Sequence, residues 1–292
     1  MRMKVKSGDV SVVFQGPISE TGSVSALECV QSARTHLPDS EIVVSTWTPA
    51  PSERGPWNIW VQSNDPGALE RNAKIKPNNI NRQIVSTRAG LAQCSRRFAI
   101  KIRTDWSLES DALLEVLSHV STRRYMSGGN SQRIAVCNIY TRNPRRFPFL
   151  YHVSDIIMAS SLEKLIEYWN APPCTEEAFD IPERYLALSY LLRMGERVQP
   201  TRYSFHEARR FEHLLVKQFE VFERHELGIN GPPRFNDVGN ERLCYTRDEF
   251  VRLARIYEGG GGFSLASVSL YATLFYAIQR FKFRWGWTRH KN

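Results

Sequence analysis

No Cys-x-x-Cys pair and no internal repeat occurs in this chain. Its five cysteines, Cys29, Cys94, Cys137, Cys174 and Cys244, are odd in number and far apart. That spacing argues against a zinc ribbon. Scattered single cysteines behave as small buried hydrophobes, so a reducing compartment is expected. Met1 to Asp9 is short, basic and polar, unlike the core of a signal peptide, so an unexported chain is expected. Aromatic residues interleaved with basic ones for base stacking are also missing, which argues against a nucleic-acid partner.

What is present suits a packed protein. Of 292 residues, 42% are hydrophobic and 24% charged, enough to build a core. The net charge of +9 suits anionic lipid, a phosphorylated substrate or nucleic acid, and composition alone does not separate them. Val10 to Phe14 is a β-branched strand signal stopped by Gln15-Gly16-Pro17. Ser23 to Thr35 reads as a helix with Ser23 as its cap, and Glu41 to Thr46 and Trp57 to Gln62 read as strands. A helix through Ile80, Ile84 and Leu91 precedes a strand from Phe98 to Arg103. Ser110 to Val120 is helical and Ile134 to Tyr140 strand-like. Beyond residue 160 the pattern turns helical at Leu162 to Trp169, Ile181 to Met194, Glu212 to Arg224 and Thr246 to Tyr257. Alternating strands and helices predict an α/β fold with a mostly parallel sheet flanked by helices and a helical C-terminal region. Ligands in such sheets bind beyond the carboxyl ends of the strands.

That rule singles out particular residues. Asp105, after the fourth strand, can hold a divalent ion against a diphosphate; it can equally be a helix cap or a salt-bridge partner of Arg103. Gln15, Gly16 and Pro17 can let the backbone approach a nucleotide base or ribose, or form an ordinary turn. Asn78 to Gln83 gathers four amides and a guanidinium at a helix start, which suits an anion or a solvated cap. Asp155 and Glu183 are each able to serve as general base for an acceptor hydroxyl. Their alternatives are a cap of the segment from Ile156 and a favourable charge in a first helical turn. His206 is a late candidate metal ligand, with a surface role as its alternative. Arg123-Arg124 and Arg142-x-x-Arg145-Arg146 suit an anionic acceptor or a solvated face. Phe263 to Gln279 has no charged residue and runs into a tail carrying Trp285, Trp287 and several Lys and Arg. It is short and polar for a membrane span but suits a headgroup interface.

Several segments together resemble one known family. They are Val12-Val-Phe-Gln-Gly-Pro-Ile18, Leu37-Pro-Asp-Ser-Glu-Ile-Val-Val-Ser-Thr-Trp47, Ser63-Asn-Asp-Pro-Gly67, Asn79-Ile-Asn-Arg-Gln-Ile-Val-Ser-Thr-Arg-Ala-Gly-Leu91 and Lys101-Ile-Arg-Thr-Asp105. His152-Val-Ser-Asp155 and Pro182-Glu-Arg-Tyr-Leu186 match more weakly. The chain resembles the WavE lipopolysaccharide synthesis family from residue 10 to about 190. The resemblance implies a GT-A-like glycosyltransferase on the cytoplasmic face of the bacterial inner membrane. Its donor would be a nucleotide-sugar or another diphosphate-activated sugar, such as phosphoribosyl pyrophosphate. Its acceptor would be a lipopolysaccharide or surface polysaccharide. Gln15, Gly16 and Pro17 would line the base and ribose, and Asp65, Asn81 and Arg82 would hold the donor. Asp105 would meet the diphosphate or a manganese or magnesium ion, with His206 as a further ligand. The usual Asp-x-Asp motif is here Asp105-Trp-Ser107, which puts the metal in question. Residues 1–160 are then a donor-binding domain, 161–258 an acceptor-side helical region, and 259–292 a membrane-associating helix with a basic tail. The alternatives are a sugar-phosphate or nucleotidyl transferase and a non-catalytic scaffold.

Overall fold

A computed structural model describes residues 4–18, 25–70, 77–122, 132–176, 180–199, 201, 203–236, 241–260 and 264–284. Ser23, Arg123, Arg124, Phe263, Trp285 and Trp287 lie outside the described residues.

Short β-branched runs form the centre of the molecule. β1 (Val10–Gln15) is buried along its whole length, and β2 (Glu41–Thr46) nearly so, which marks strands covered on both faces. Both pair in parallel, and β3 (Ile59–Gln62) and β4 (Phe98–Arg103) extend the parallel set on either side. Beyond β4 come β6 (Ile134–Cys137), β7 (Ile157–Ser161) and β8 (Phe219–Phe222), giving the order β3-β2-β1-β4-β7-β6-β8. Only the two pairings of β7 are antiparallel, so the sheet is mixed and mostly parallel, as expected. A two-stranded ribbon of β5 (Ser107–Leu108) and β9 (Ile229–Asn230) lies outside it.

Helices cover both faces. α1 (Ala26–His36) and α3 (Ala112–Thr122) pack on Val12, Val44, Ile100 and Ile102. The opposite face, with Val13, Val43, Ala99 and Met158, carries α2 (Ile80–Leu91), α4 (Leu162–Trp169), α5 (Pro182–Arg193), α6 (Phe205–Gln218) and α8 (Arg247–Glu258). The short α7 (Arg224–Leu227) precedes β9, and α9 (Leu270–Arg284) follows α8. α2 lies very close to the sheet. A Cβ on Gly90 would sit 2.6 Å from Val13 and 2.8 Å from Ser45, so only glycine permits this approach. The Thr246–Glu249 capping box forms as expected at the start of α8.

Two expectations need correction. Glu212 to Arg224 is not one helix: α6 ends at Gln218, and Phe219–Phe222 becomes the edge strand β8, paired in parallel with β6. All four of its side chains are buried, so tertiary pairing overrides the local helical pattern. The segment from Ile156 is strand β7, antiparallel to β4, so Asp155 caps no helix there. The sheet therefore draws strands from both halves of the chain.

Candidate active site

The rim at the carboxyl ends of β1 and β4 is built by local locking. Gly16 has φ +145°, and a Cβ on it would lie 2.5 Å from the Thr104 hydroxyl oxygen. That hydroxyl donates to the Pro17 carbonyl at 2.8 Å, and the Thr104 amide donates to Gln15. The Gln15 side chain is buried and donates to Ser86 of α2 at 3.0 Å. The Gln-Gly-Pro turn and Thr104 thus form one rigid lip, with Asp105 next along the chain.

Asp105 is held by two arginines. Arg103 reaches it with Nε at 2.9 Å and Nη2 at 3.0 Å, and Arg234 bonds the second oxygen. The Arg103 pairing expected as one alternative is therefore present. Arg234 comes from 129 residues further along the chain. The β5–β9 ribbon brings it there, with Gly231 packed so tightly on Trp106 that a Cβ would meet the ring at 2.5 Å. Phe235 lies against both guanidinium groups, 5.5 Å from Arg103 and 4.9 Å from Arg234. Burial works to raise the Asp105 pKa, but the two arginines outweigh it and hold the carboxyl below its usual range.

A second cluster lies just beneath. Lys101 and Arg103 alternate with Ile100 and Ile102, so they share the face turned toward α4 and α5. Lys101 is fully buried, donates to the Asp155 carbonyl and sits 4.9 Å over the Trp169 ring. Burial lowers its pKa to about 8 despite the nearby carboxylates. Asp155 is buried, and its Oδ2 has no hydrogen-bond partner among the described residues. Glu183 sits in the first turn of α5, where Pro182 opens the helix. Burial and then the Asp155 charge push its pKa up to about 7. His152 Nε2 lies 3.8 Å from the Glu183 carboxylate. Its Nδ1 donates to the Tyr140 carbonyl, and burial pushes its pKa down to about 3, so the ring is neutral with Nε2 unprotonated. The structure thus brings Asp155 and Glu183 together with Lys101 and Arg103, and all four interact electrostatically.

The remaining candidates divide. Asp65 and Arg82 form a bidentate pair, 2.7 Å at each contact, with Arg82 5.3 Å from the Trp47 ring. Asn81 uses both ends of its amide on the Cys174 backbone, so it ties down a loop. Asn78 caps α2 at the Ile80 amide. His206 is exposed in the first turn of α6. Among the described residues no group of three or more His, Cys, Asp or Glu is placed to hold a metal ion. Arg145 is committed to buried Glu212 and Arg146 to Glu249, so neither is simply a solvated face. Sequence reasoning passed over Lys101 and Arg234. Strand alternation points Lys101 inward with Arg103, whereas no local signal announces Arg234.

The model of the family described as WavE lipopolysaccharide synthesis matches residues 10–190. No curated protein matches the chain. Among solved structures, the galactosyltransferase LgtC in complex with donor and acceptor sugar analogs is similar at 14% identity. The similarity covers 84% of this chain and 95% of that one, with a TM-score of 0.41. An active-site mutant of LgtC is similar to the same extent, also with a TM-score of 0.41. The chain belongs to the WavE lipopolysaccharide synthesis family.

Proposed function

We propose that this WavE family member is a GT-A-like glycosyltransferase that moves a sugar from a nucleotide-sugar, or another diphosphate-activated donor, onto a lipopolysaccharide or surface-polysaccharide acceptor. The observation that carries this reading is the juxtaposition at the strand ends. The Gln15–Pro17 lip and the arginine-bound Asp105 form one rim, and a carboxyl group poised near neutrality interacts with Arg103 just beneath it. Gln15, Gly16 and Pro17 line the base and ribose. Arg82, oriented by Asp65, meets the donor, and Asn81 holds the neighbouring loop.

Of the two carboxylates, Glu183 is the better base. Its side chain is 18% exposed, whereas Asp155 is buried. A pKa of about 7 leaves it both available and basic enough to take a proton from an acceptor hydroxyl. Asp155 acts on it through charge, raising that pKa. Lys101 offsets the pair from below.

A divalent ion at Asp105 does not fit the donor set. Both carboxylate oxygens already accept from guanidinium groups, His206 is exposed in α6, and two fixed positive charges repel a third cation. No step is assigned to a metal.

Membrane contact belongs to the same reading. Leu270, Tyr271, Leu274 and Ile278 are exposed on α9, and basic residues follow in sequence. Among the described residues no helix is long and apolar enough to cross a membrane. α9 would lie on the cytoplasmic face of the inner membrane, its apolar side in the headgroup region.

The test is product analysis. The purified chain is incubated with nucleotide-sugars, or with phosphoribosyl pyrophosphate, and a truncated lipopolysaccharide core, then the acceptor is weighed by mass spectrometry. A mass gain of one glycosyl residue, abolished in Asp105→Ala, is expected. A gain of a sugar phosphate or nucleotidyl group, or no gain with any donor, overturns the proposal.

A further inference from the structure

We infer that Arg103 and Arg234 bind the donor's diphosphate and neutralise its charge on departure, in place of a metal ion, and that Asp105 is the positioning residue that holds the two guanidinium groups in place. This rests on the transferase reading above.

The charge count supports the substitution. One carboxylate with two guanidinium groups carries a net charge of +1, the same as one carboxylate holding a divalent ion. An arginine keeps its charge at any physiological pH, and its planar fork suits phosphate oxygens. Each guanidinium is held on two sides. Asp105 bonds both, and the Phe235 ring lies against both. Tyr140 and Trp106 pack on Phe235 in turn, at 5.8 and 5.3 Å between ring centroids. Groups fixed in this way stabilise developing charge without having to reorganise.

The two arginines are not equivalent. Arg103 is rooted in β4, and its Asp105 hydrogen bond overcomes the burial that would lower its pKa. Arg234 has a side chain 60% exposed, so its guanidinium, held by Asp105 and Phe235, faces a ligand arriving from solvent without having to turn. In an inverting transfer the acceptor oxygen bonds to the anomeric carbon and its proton passes to Glu183. The bond from that carbon to the diphosphate oxygen breaks, and its electron pair leaves with the diphosphate. That oxygen is where the arginines are needed. The requirement for fixed cations at a phosphoryl leaving group is general.

Calorimetric titration of the full chain with UDP, GDP, CDP, ADP and inorganic pyrophosphate, in EDTA and in manganese, tests the inference. At least one diphosphate is expected to bind in EDTA, within about threefold of its affinity in manganese. Arg234→Ala, at an exposed position, is expected to weaken that binding by about tenfold or more. Asp105→Asn should lose turnover yet bind the diphosphate equally in EDTA and in manganese, as wild type does, whereas loss of a metal ligand would remove a manganese-dependent gain in wild-type affinity. Binding that requires manganese, or an Arg234→Ala protein that binds as well as wild type, overturns the inference and leaves the transferase reading standing. No diphosphate binding under either condition overturns both.

Discussion

Two carboxylates in this protein each face two arginines, one in the core and one at the rim of the sheet. Glu220 on β8 accepts from Arg133 at 2.8 Å and Arg247 at 2.9 Å, with His119 at 3.3 Å. Its side chain and that of Arg133 are inaccessible, and Arg133 continues to Glu258. This cluster joins the edge strand, the segment before β6 and α8 into one unit. Asp105 has the same composition but opens to solvent through Arg234. A buried carboxylate saturated by cations is a clamp. A rim carboxylate with one exposed arginine is, on the proposed reading, a receptor for a further anion. Burial, not residue type, separates the two roles.

The largest effect is expected at the clamp. Glu220→Ala removes the buried carboxylate that Arg133 and Arg247 share and leaves them only Glu258 and Glu226, which costs about 3 kcal/mol. Urea denaturation reads it directly, and a loss under about 1 kcal/mol would break the contrast. Next comes Asp105→Asn. Solvent screens the rim pair, so folding stability should fall by only about 1 kcal/mol. Turnover should fall about 100-fold, as when an oriented charge contact to a transition state is lost. Equal stability losses in the two variants would erase the distinction.

Glu183 sharpens the comparison through pH. Its folded pKa of about 7 lies above its ordinary value, so the folded protein prefers the protonated form. The associated stability is complete below the ordinary carboxyl pKa and is lost as pH rises through about 7. Glu183→Gln should therefore be more stable than wild type at pH 8, by up to about 3 kcal/mol, and approach it near pH 4. The same variant should lose the rising limb of the activity profile near neutrality. A melting difference that is the same at both pH values would remove Glu183 as the titrating group.

Much of this was readable in advance, for physical reasons. β1, β2 and β4 announce themselves because strands buried on both faces need unbroken apolar runs. The lip residues and Asp105 follow from their place at strand ends, and Arg103 is visible two residues before its partner. β8 was hidden because its four residues follow a helical pattern directly, and only pairing with β6 selects the strand. β7 was hidden because Ile-Met-Ala-Ser-Ser has little alternation to show. Arg234 was hidden because its role depends on a ribbon between residues more than a hundred positions apart. Long-range charge pairing leaves no local trace in a sequence.

The smallest effect on folding is expected on α9, where the same rule is applied to apolar side chains. Leu274 is 55% exposed and lies among Leu270, Tyr271 and Ile278, also exposed. A side chain that contributes little to the core should cost little to replace, so Leu274→Gln should change stability by less than about 0.5 kcal/mol. Its removal from a lipid surface is another matter. A leucine taken out of water is worth about 1.5–3 kcal/mol, so sedimentation with anionic vesicles should weaken by about tenfold or more. On the proposed reading, exposure marks function in both places: Arg234 for an anion at the rim, and the leucines of α9 for lipid. A Leu274→Gln protein that unfolds more easily but binds vesicles as before would show that α9 serves the core, and would confine the rule to the charged clusters.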